Sequence, residues 1–215
     1  MRSLFLGILA IIVIGVGGLV YRNAVEHPEQ PITCPLDHLT CPDGTSVSRT
    51  ESSCVFPTCP PPNVSLPDTG IAFAVPEGFV SAELSDASSI AAYELLPVAS
   101  STQSDRIIIR RYMIAASSTA LSTIQQTAIG GASGLPVGAT SYSSTTLGGR
   151  HFTVVAIERF EGVVDTAYYF ARTNDVLRFD AIDREVMNWT DTSLDTSTLP
   201  AHTALQKLLT TLQGQ

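Results

Sequence analysis

The sequence predicts an α+β fold in which an antiparallel sheet of about seven strands is packed by helices. Short segments with strand composition recur over residues 70–182, and brief turns containing Gly or Asn separate most of them. Such short turns favour antiparallel pairing of neighbouring strands. Two helical segments follow the third strand and the last strand. The predicted order is therefore β-β-β-α-β-β-β-β-α.

Three strands are predicted before the first helix, at residues 70–75, 91–96 and 106–115. A turn is expected over residues 76–79, because Pro, Glu and Gly stand together there. The helix is expected over residues 119–129, capped by Ser117 and Ser118. Its predicted apolar face consists of Leu121, Ile124 and Ala128.

Four further strands are predicted at residues 140–147, 150–160, 163–171 and 176–182. The turns between them are short, so these strands are expected to form a meander. Pro200 suits the first turn of a closing helix. The apolar stripe of that helix is predicted to be Leu205, Leu208, Leu209 and Leu212.

This element order resembles the PsbP-like fold. The residues that carry the resemblance are FAVPEGF at 73–79, the hairpins around Gly148-Gly149 and Gly162, and the closing helix ALQKLLTTL at 204–212. The resemblance covers most of residues 68–212. It implies a non-catalytic binding or scaffold domain over residues 70–215, and it transfers no site residue.

The N-terminal segment predicts a membrane anchor over residues 1–23. Residues 4–20 contain no charge, and Tyr21 and Arg22 suit a membrane interface. A cleaved signal peptide is the alternative, with small residues at 15–17 or 16–18 as its cleavage site. Arg2 and Arg22 nearly balance, so charge alone leaves the orientation open.

Four cysteines indicate the compartment. Their spacing within residues 24–60 is C-x6-C-x12-C-x4-C, and they are Cys34, Cys41, Cys54 and Cys59. An even number of cysteines beside Pro and Gly turns, after an export-type segment, predicts two disulfides in an oxidising compartment. The sequence leaves all three pairings open. A zinc site is the weaker alternative, because only Cys54 and Cys59 approach the ligand spacing of zinc sites.

The run CPDGTSVSRTESSCVFPTCP is similar to a four-cysteine segment of uncharacterised bacterial envelope proteins, and this resemblance implies no chemistry. A proline-rich linker is expected over residues 61–69. Leu66-Pro67-Asp68-Thr69-Gly70 spells a sortase-type motif, but a patterned domain follows it instead of an apolar stretch and a basic tail. The motif is therefore interpreted as a linker that ends in a turn.

Charge and motifs exclude several function classes. The formal net charge is −8 and all 20 acidic residues follow Arg22, so binding of nucleic acid is disfavoured. The sequence contains no nucleotide-binding, hydrolase or zinc-protease motif. No catalytic, cofactor-binding or metal-binding residue is predicted. The four histidines lack a motif that fixes their geometry, and they are His27, His38, His151 and His202.

The remaining acidic and aromatic residues are interpreted structurally. Asp165, Asp175, Asp180 and Asp183 lack the spacing of a calcium loop and are expected to be solvated. Tyr168, Tyr169 and Phe170 are expected to pack in the sheet. The sequence thus predicts a membrane-anchored extracytoplasmic protein, without a cofactor, that binds an envelope protein or a small ligand. A hydrolase or protease inhibitor with an unrecognised site is the alternative.

Overall fold

The computed structural model describes residues 7, 11–19, 21–22, 34–41, 46–50, 53–59, 62–96 and 103–214. It divides the chain into two compact units. The first comprises Met1–His38 and Ser48–Pro57, and the second comprises Leu39–Val47 and Thr58–Gln215.

Residues 11–19 are helical. Within the described ranges, no helix is both long enough and apolar enough to cross a membrane. The anchor predicted over residues 1–23 includes residues that lie outside those ranges.

Among the described residues of the first unit, Arg49 contacts Asp37, Cys54 and Phe56. Its guanidinium donates two hydrogen bonds to the Asp37 carboxylate, at 2.6 and 2.8 Å, and a third, at 2.7 Å, to the Cys54 carbonyl oxygen. The guanidinium carbon lies 4.2 Å from the centroid of the Phe56 ring, within the range of a cation–π contact. The hydrogen bond from Arg49 holds the pKa of Asp37 below its usual range. These contacts and the bond from Cys54 to Cys34 stabilise a segment that is poor in apolar residues.

Two disulfides are present, as predicted. Cys34 pairs with Cys54, and in the second unit Cys41 pairs with Cys59. Of the pairings that the sequence leaves open, the chain therefore joins the first cysteine to the third and the second to the fourth.

Two short strands lie beside these cysteines. β1 (His38–Thr40) and β2 (Ser46–Ser48) form a two-stranded sheet. Residues 42–45, between the two strands, lie outside the described residues, and so does the turn that Pro42-Asp43-Gly44 predicts.

The segment expected to be a linker is partly folded. β3 (Val64–Leu66) pairs antiparallel with β4 (Ile71–Phe73), and a 3-10 turn over Pro67–Thr69 joins them. Val64 and Leu66 pack against the main core, and the Thr69 side chain is buried. The linker prediction is wrong for these residues, because each buries apolar surface that a solvated spacer would leave exposed. The sortase-type motif lies in this turn.

The second unit contains a seven-stranded antiparallel sheet. Its strands are β5 (Phe79–Ser81), β6 (Ser89–Leu95), β7 (Arg106–Met113), β8 (Tyr142–Leu147), β9 (Arg150–Phe160), β10 (Val163–Ala171) and β11 (Asp175–Asp183). Their order across the sheet is β5-β6-β7-β11-β10-β9-β8. The predicted α+β class and the meander from β8 to β11 are therefore confirmed.

The first strand of the large sheet is not the one that the sequence predicts. The strand predicted over residues 70–75 is β4, which pairs with β3 outside the large sheet. The edge strand is β5 instead, at the end of the segment predicted as a turn. The turn at Glu77-Gly78 is real, but Phe79 is buried behind it and begins the strand.

The helix α1 (Ala120–Thr127) covers one face of the sheet, here called the α1 face. Thr119 is its cap, because its hydroxyl accepts a hydrogen bond from the Ser122 backbone N–H at 3.1 Å. The predicted cap at Ser117 and Ser118 is therefore wrong by one or two residues. Ile124 and Ala128 are buried as predicted, whereas Leu121 is 59% exposed.

The helix α2 (Pro200–Thr211) covers the opposite face, here called the α2 face. Pro200 is its first residue, as predicted. The expected leucine stripe is fully buried against aromatic residues of the sheet. The core on this face includes Phe73, Tyr93, Phe152, Tyr168, Phe179, Leu205, Leu208, Leu209 and Leu212.

The β8–β9 turn provides a test of the packing between the sheet and α2. Gly148 and Gly149 have positive φ angles of 55° and 76°. A Cβ atom on Gly148 would lie 2.6 Å from the Thr210 carbonyl oxygen, whereas one on Gly149 would meet nothing within 4 Å. We expect Gly149→Ala to lower the free energy of unfolding by about 1 kcal/mol through backbone strain alone. Gly148→Ala should lower the free energy of unfolding by a larger amount, because its Cβ would also meet Thr210. If urea unfolding shows equal decreases for the two variants, this packing of the turn against α2 is contradicted.

Candidate functional site

A cleft opens on the α2 face, between the edge strand β8 and the helix α2. Its volume is about 440 Å³. Residues of β8, β9 and β10 form its floor, and the first two turns of α2 form one wall together with the 3-10 turn Thr196–Thr198. The lining includes the hydroxyl groups of Ser143, Thr145, Thr166 and Ser197. The cleft is therefore rich in groups that both donate and accept hydrogen bonds.

Three side chains meet at the border of the cleft with the core. The Tyr168 hydroxyl lies 2.5 Å from His202 Nε2, and the Gln206 amide donates a hydrogen bond to that hydroxyl at 3.0 Å. The Tyr168 and His202 rings meet edge to face, with centroids 5.4 Å apart. Both side chains are buried, whereas Gln206 is half-buried. The three residues are here called the Tyr–His–Gln cluster.

Local structure brings these residues together. Asp183, at the end of β11, accepts a hydrogen bond from the Ala201 N–H at 2.6 Å and so fixes the start of α2. His202 and Gln206 are four residues apart and therefore lie on one side of the helix. Tyr168 points to the same face because side chains alternate along β10.

The protonation of the cluster follows from its burial. Burial lowers the pKa of His202, although the nearby charge of Asp195 opposes this effect. Burial also raises the pKa of Tyr168. Both rings are therefore neutral near pH 7. Because the Gln206 amide donates to the Tyr168 oxygen, the phenolic proton is free to point at His202 Nε2.

The His202 imidazole and the nearby Ser197 hydroxyl each have another hydrogen-bond partner. The His202 nitrogen that faces the cluster is engaged by a neutral phenol, and the Ser197 hydroxyl donates to Asp195 at 2.6 Å. No hydrogen bond between the His202 imidazole and a serine or a carboxylate is found among the described residues; the His202 backbone N–H bonds the Asp183 carboxylate. A serine hydrolase needs such a nucleophile–base contact.

The other histidines lie elsewhere. His151 is exposed on β9, opposite Thr146. His38 hydrogen-bonds the Ser48 hydroxyl at 3.0 Å. His27 lies outside the described residues. Among the described histidines, only His202 therefore lines the cleft.

The prediction that the aspartates of the domain are solvated is wrong. Asp175, Asp180 and Asp183 are each exposed by 3% or less. Asp175 accepts hydrogen bonds from Arg111 and Arg172, each at 2.6 Å. These carboxylates are buried because α1, α2 and the β3–β4 hairpin cover both faces of the sheet, which strand periodicity alone does not reveal.

On the α1 face, Asp180 joins two strands and a helix. Its carboxylate accepts a hydrogen bond from Arg178 at 2.6 Å and another from Arg110 of β7. Arg178 also donates to the Thr127 carbonyl oxygen at the end of α1, at 2.6 Å. Arg110 extends the network to Asp86 at 3.0 Å. The network therefore holds α1 on the sheet.

Asp165 is an unusual member of the same face. It lies opposite Glu158 at a β-bulge between β9 and β10. Its Oδ1 is buried and has no hydrogen-bond partner among the described residues. Burial, together with the negative charge of Asp180, raises the pKa of Asp165 to about 8. Its carboxyl group is therefore largely protonated at pH 7.

We expect Asp165→Asn to change the pH dependence of stability. The folded-state pKa lies above the unfolded value of 3.8, so Asp165 contributes stability that is lost as the pH rises towards 8. Asn resembles the neutral form, so the variant should gain stability relative to the wild type between pH 5 and pH 9. Thermal unfolding across this range measures the difference.

Asp86→Asn is the matched control. Although burial raises the pKa of Asp86, hydrogen bonds from Ser88 and Arg110 hold it well below its usual range. Its charged form is therefore stabilising at neutral pH, and this variant should lose stability there. If the difference in stability between Asp165→Asn and the wild type did not change with pH, the proposed protonation of Asp165 would be contradicted.

No protein-family model matches the chain, and no curated protein matches it. The likeness of residues 68–212 to the PsbP-like fold and of residues 34–60 to the envelope four-cysteine segment therefore stays a prediction.

Proposed function

We propose that this protein is a single-pass, membrane-anchored binding module whose disulfide segment and α+β domain lie outside the cytoplasm. The domain binds a neutral polar ligand, rich in hydroxyl and amide groups, in the cleft beside α2. It acts by recognition, without catalysis and without a cofactor.

Two features support the location. Residues 4–20 form an uncharged apolar stretch next to the interfacial pair Tyr21 and Arg22. Two disulfides follow within a short stretch, and disulfides persist in oxidising compartments. With the apolar stretch as the anchor, the disulfides favour an extracytoplasmic location for the rest of the chain.

The Tyr–His–Gln cluster is the observation that carries the binding role. It places a neutral phenol, a neutral imidazole and an amide at one end of a cleft whose lining also includes several hydroxyl groups. A charged ligand would gain no compensating charge from the cluster. Two charged side chains border the cleft, and both have protein partners. One oxygen of Glu158 accepts a hydrogen bond from the Ala132 N–H at 2.7 Å, and the Arg159 guanidinium donates to the Asp191 carbonyl oxygen at 2.9 Å. A ligand with hydroxyl and amide groups would match the lining.

Thiol counting tests the compartment and the pairing together. We expect the native chain to show no free thiol until it is reduced, because all four cysteines are paired. Double replacement of Cys34 and Cys54 by Ser should leave no free thiol, since it removes one complete disulfide. Double replacement of Cys34 and Cys41 should instead expose two unpaired cysteines, Cys54 and Cys59. Free thiols in the native chain, measured by mass spectrometry after alkylation, would overturn the extracytoplasmic location.

Binding of triacetylchitotriose tests the ligand class. This probe is neutral and carries both hydroxyl and acetamido groups. We expect the full chain to bind it, as measured by calorimetry, and Gln206→Leu to weaken binding by about tenfold, the effect of one lost hydrogen bond. Gln125→Leu, on the exposed side of α1, is the matched control and should leave the affinity unchanged.

Three results would contradict the proposal. Absence of binding would exclude this ligand class, and equal affinities of the Gln206→Leu and Gln125→Leu variants would place the site elsewhere. Cleavage of the probe by the wild-type chain would show that the cleft is a hydrolase site. Chromatography of the probe after incubation distinguishes cleavage from binding.

A further inference from the structure

We propose that the edge strand β8 pairs with β8 of a second copy of this chain, so that the two sheets become continuous. β8 is the outermost strand of the sheet, and β9 is the strand that pairs with it. Half of its backbone N–H and C=O groups therefore point away from β9. Such an edge is a template for another strand.

β8 lacks the features that protect edge strands from pairing. Its sequence, YSSTTL, contains no charged residue and no proline, and its register with β9 is unbroken. The opposite edge, β5, has three residues, and Pro76 and Glu77 lie just before it. The two edges thus differ, and β8 is the one suited to association.

The distribution of charge favours a second copy as the occupant. The chain has 20 acidic residues, yet none lies in residues 106–157, which include all of β8. The nearest charged residue after β8 along the chain is Arg150. Two copies of an acidic chain can therefore pair through β8 without placing a carboxylate of this strand against another.

The strand is also self-complementary. Ser143 and Thr145 lie opposite Val154 and Phe152, so they point to the α2 face, whereas Ser144 points to the α1 face. A two-fold axis at Ser144 places Ser143 of one copy opposite Thr145 of the other, on the same face. An axis at Thr145 also brings hydroxyl side chains together. Cross-strand pairs of Ser and Thr are favourable.

This pairing has a consequence for the cleft. A two-fold axis perpendicular to the sheet leaves both α2 faces on the same side. Ser143 and Thr145 line the cleft, so the clefts of the two copies would adjoin across the shared edge. On the function proposed above, the dimer would hold one elongated ligand, or two ligand units side by side. The association itself requires no ligand.

The molar mass of the full chain tests the proposal. We expect a dimer in sedimentation equilibrium at micromolar concentration. Ser144→Asp places two carboxylates opposite or diagonal to each other across the axis, and it should shift the chain to a monomer. Ser81→Asp, an equally polar change on the exposed end of β5, is the matched control and should remain a dimer.

Cross-linking supplies a second readout that does not depend on tight association. Ser144→Cys should form a disulfide-linked dimer under mild oxidation, whereas Ser81→Cys should stay monomeric on non-reducing gels. A monomeric wild type together with no cross-link at Ser144 would overturn the proposal, as would equal cross-linking at both positions. Because neither experiment contains triacetylchitotriose, their failure would leave the ligand-binding test unaffected.

Discussion

The sheet depends on a carboxylate that separates two arginines. Arg110 of β7 and Arg178 of β11 are direct cross-strand partners, and like charges in such positions repel. Asp180 accepts hydrogen bonds from both, so the central pairing of β7 with β11 becomes favourable. This pairing joins the β5–β7 meander to the β8–β11 meander. Loss of one partner of a buried ion pair costs about 3–5 kcal/mol, so the union of the two halves relies on Asp180.

β11 also holds a helix on each face of the sheet through hydrogen bonds. On the α1 face, Arg178 bonds the end of α1 through the Thr127 carbonyl oxygen. On the α2 face, Asp183 fixes the first turn of α2 through the Ala201 N–H. Because that turn carries His202, the cleft and the ion network are anchored to one strand. The buried strand β11 thus fixes the wall of the cleft, whereas β8, β9 and β10 form its floor.

Local signals in the sequence predict much of the fold and little of the cleft. The sequence predicts β8 and β9 correctly, because the Gly148-Gly149 turn and the strand patterns beside it are local. The residues that carry these patterns are the same residues that form the hairpin. The sequence does not predict β5, because the turn signal at Glu77-Gly78 overlaps the start of a strand of only three residues. The disulfides were predictable from spacing and composition. The contact between Tyr168 and His202 was not, since it joins two elements through tertiary packing and matches no motif.

The cleft itself follows from a mismatch of sizes. Seven strands spaced by 4.8 Å span roughly 29 Å, whereas a helix of 12 residues is roughly 18 Å long and 10 Å wide. α2 therefore cannot cover the whole face. The β3–β4 hairpin covers the side of β6, where Phe73 meets Tyr93 with ring centroids 6.0 Å apart. The side of β8 receives no such cover from the described residues. Hydroxyl side chains suit this open strip because they can hydrogen-bond water there, and the same polarity is what the proposed recognition of a polar ligand requires.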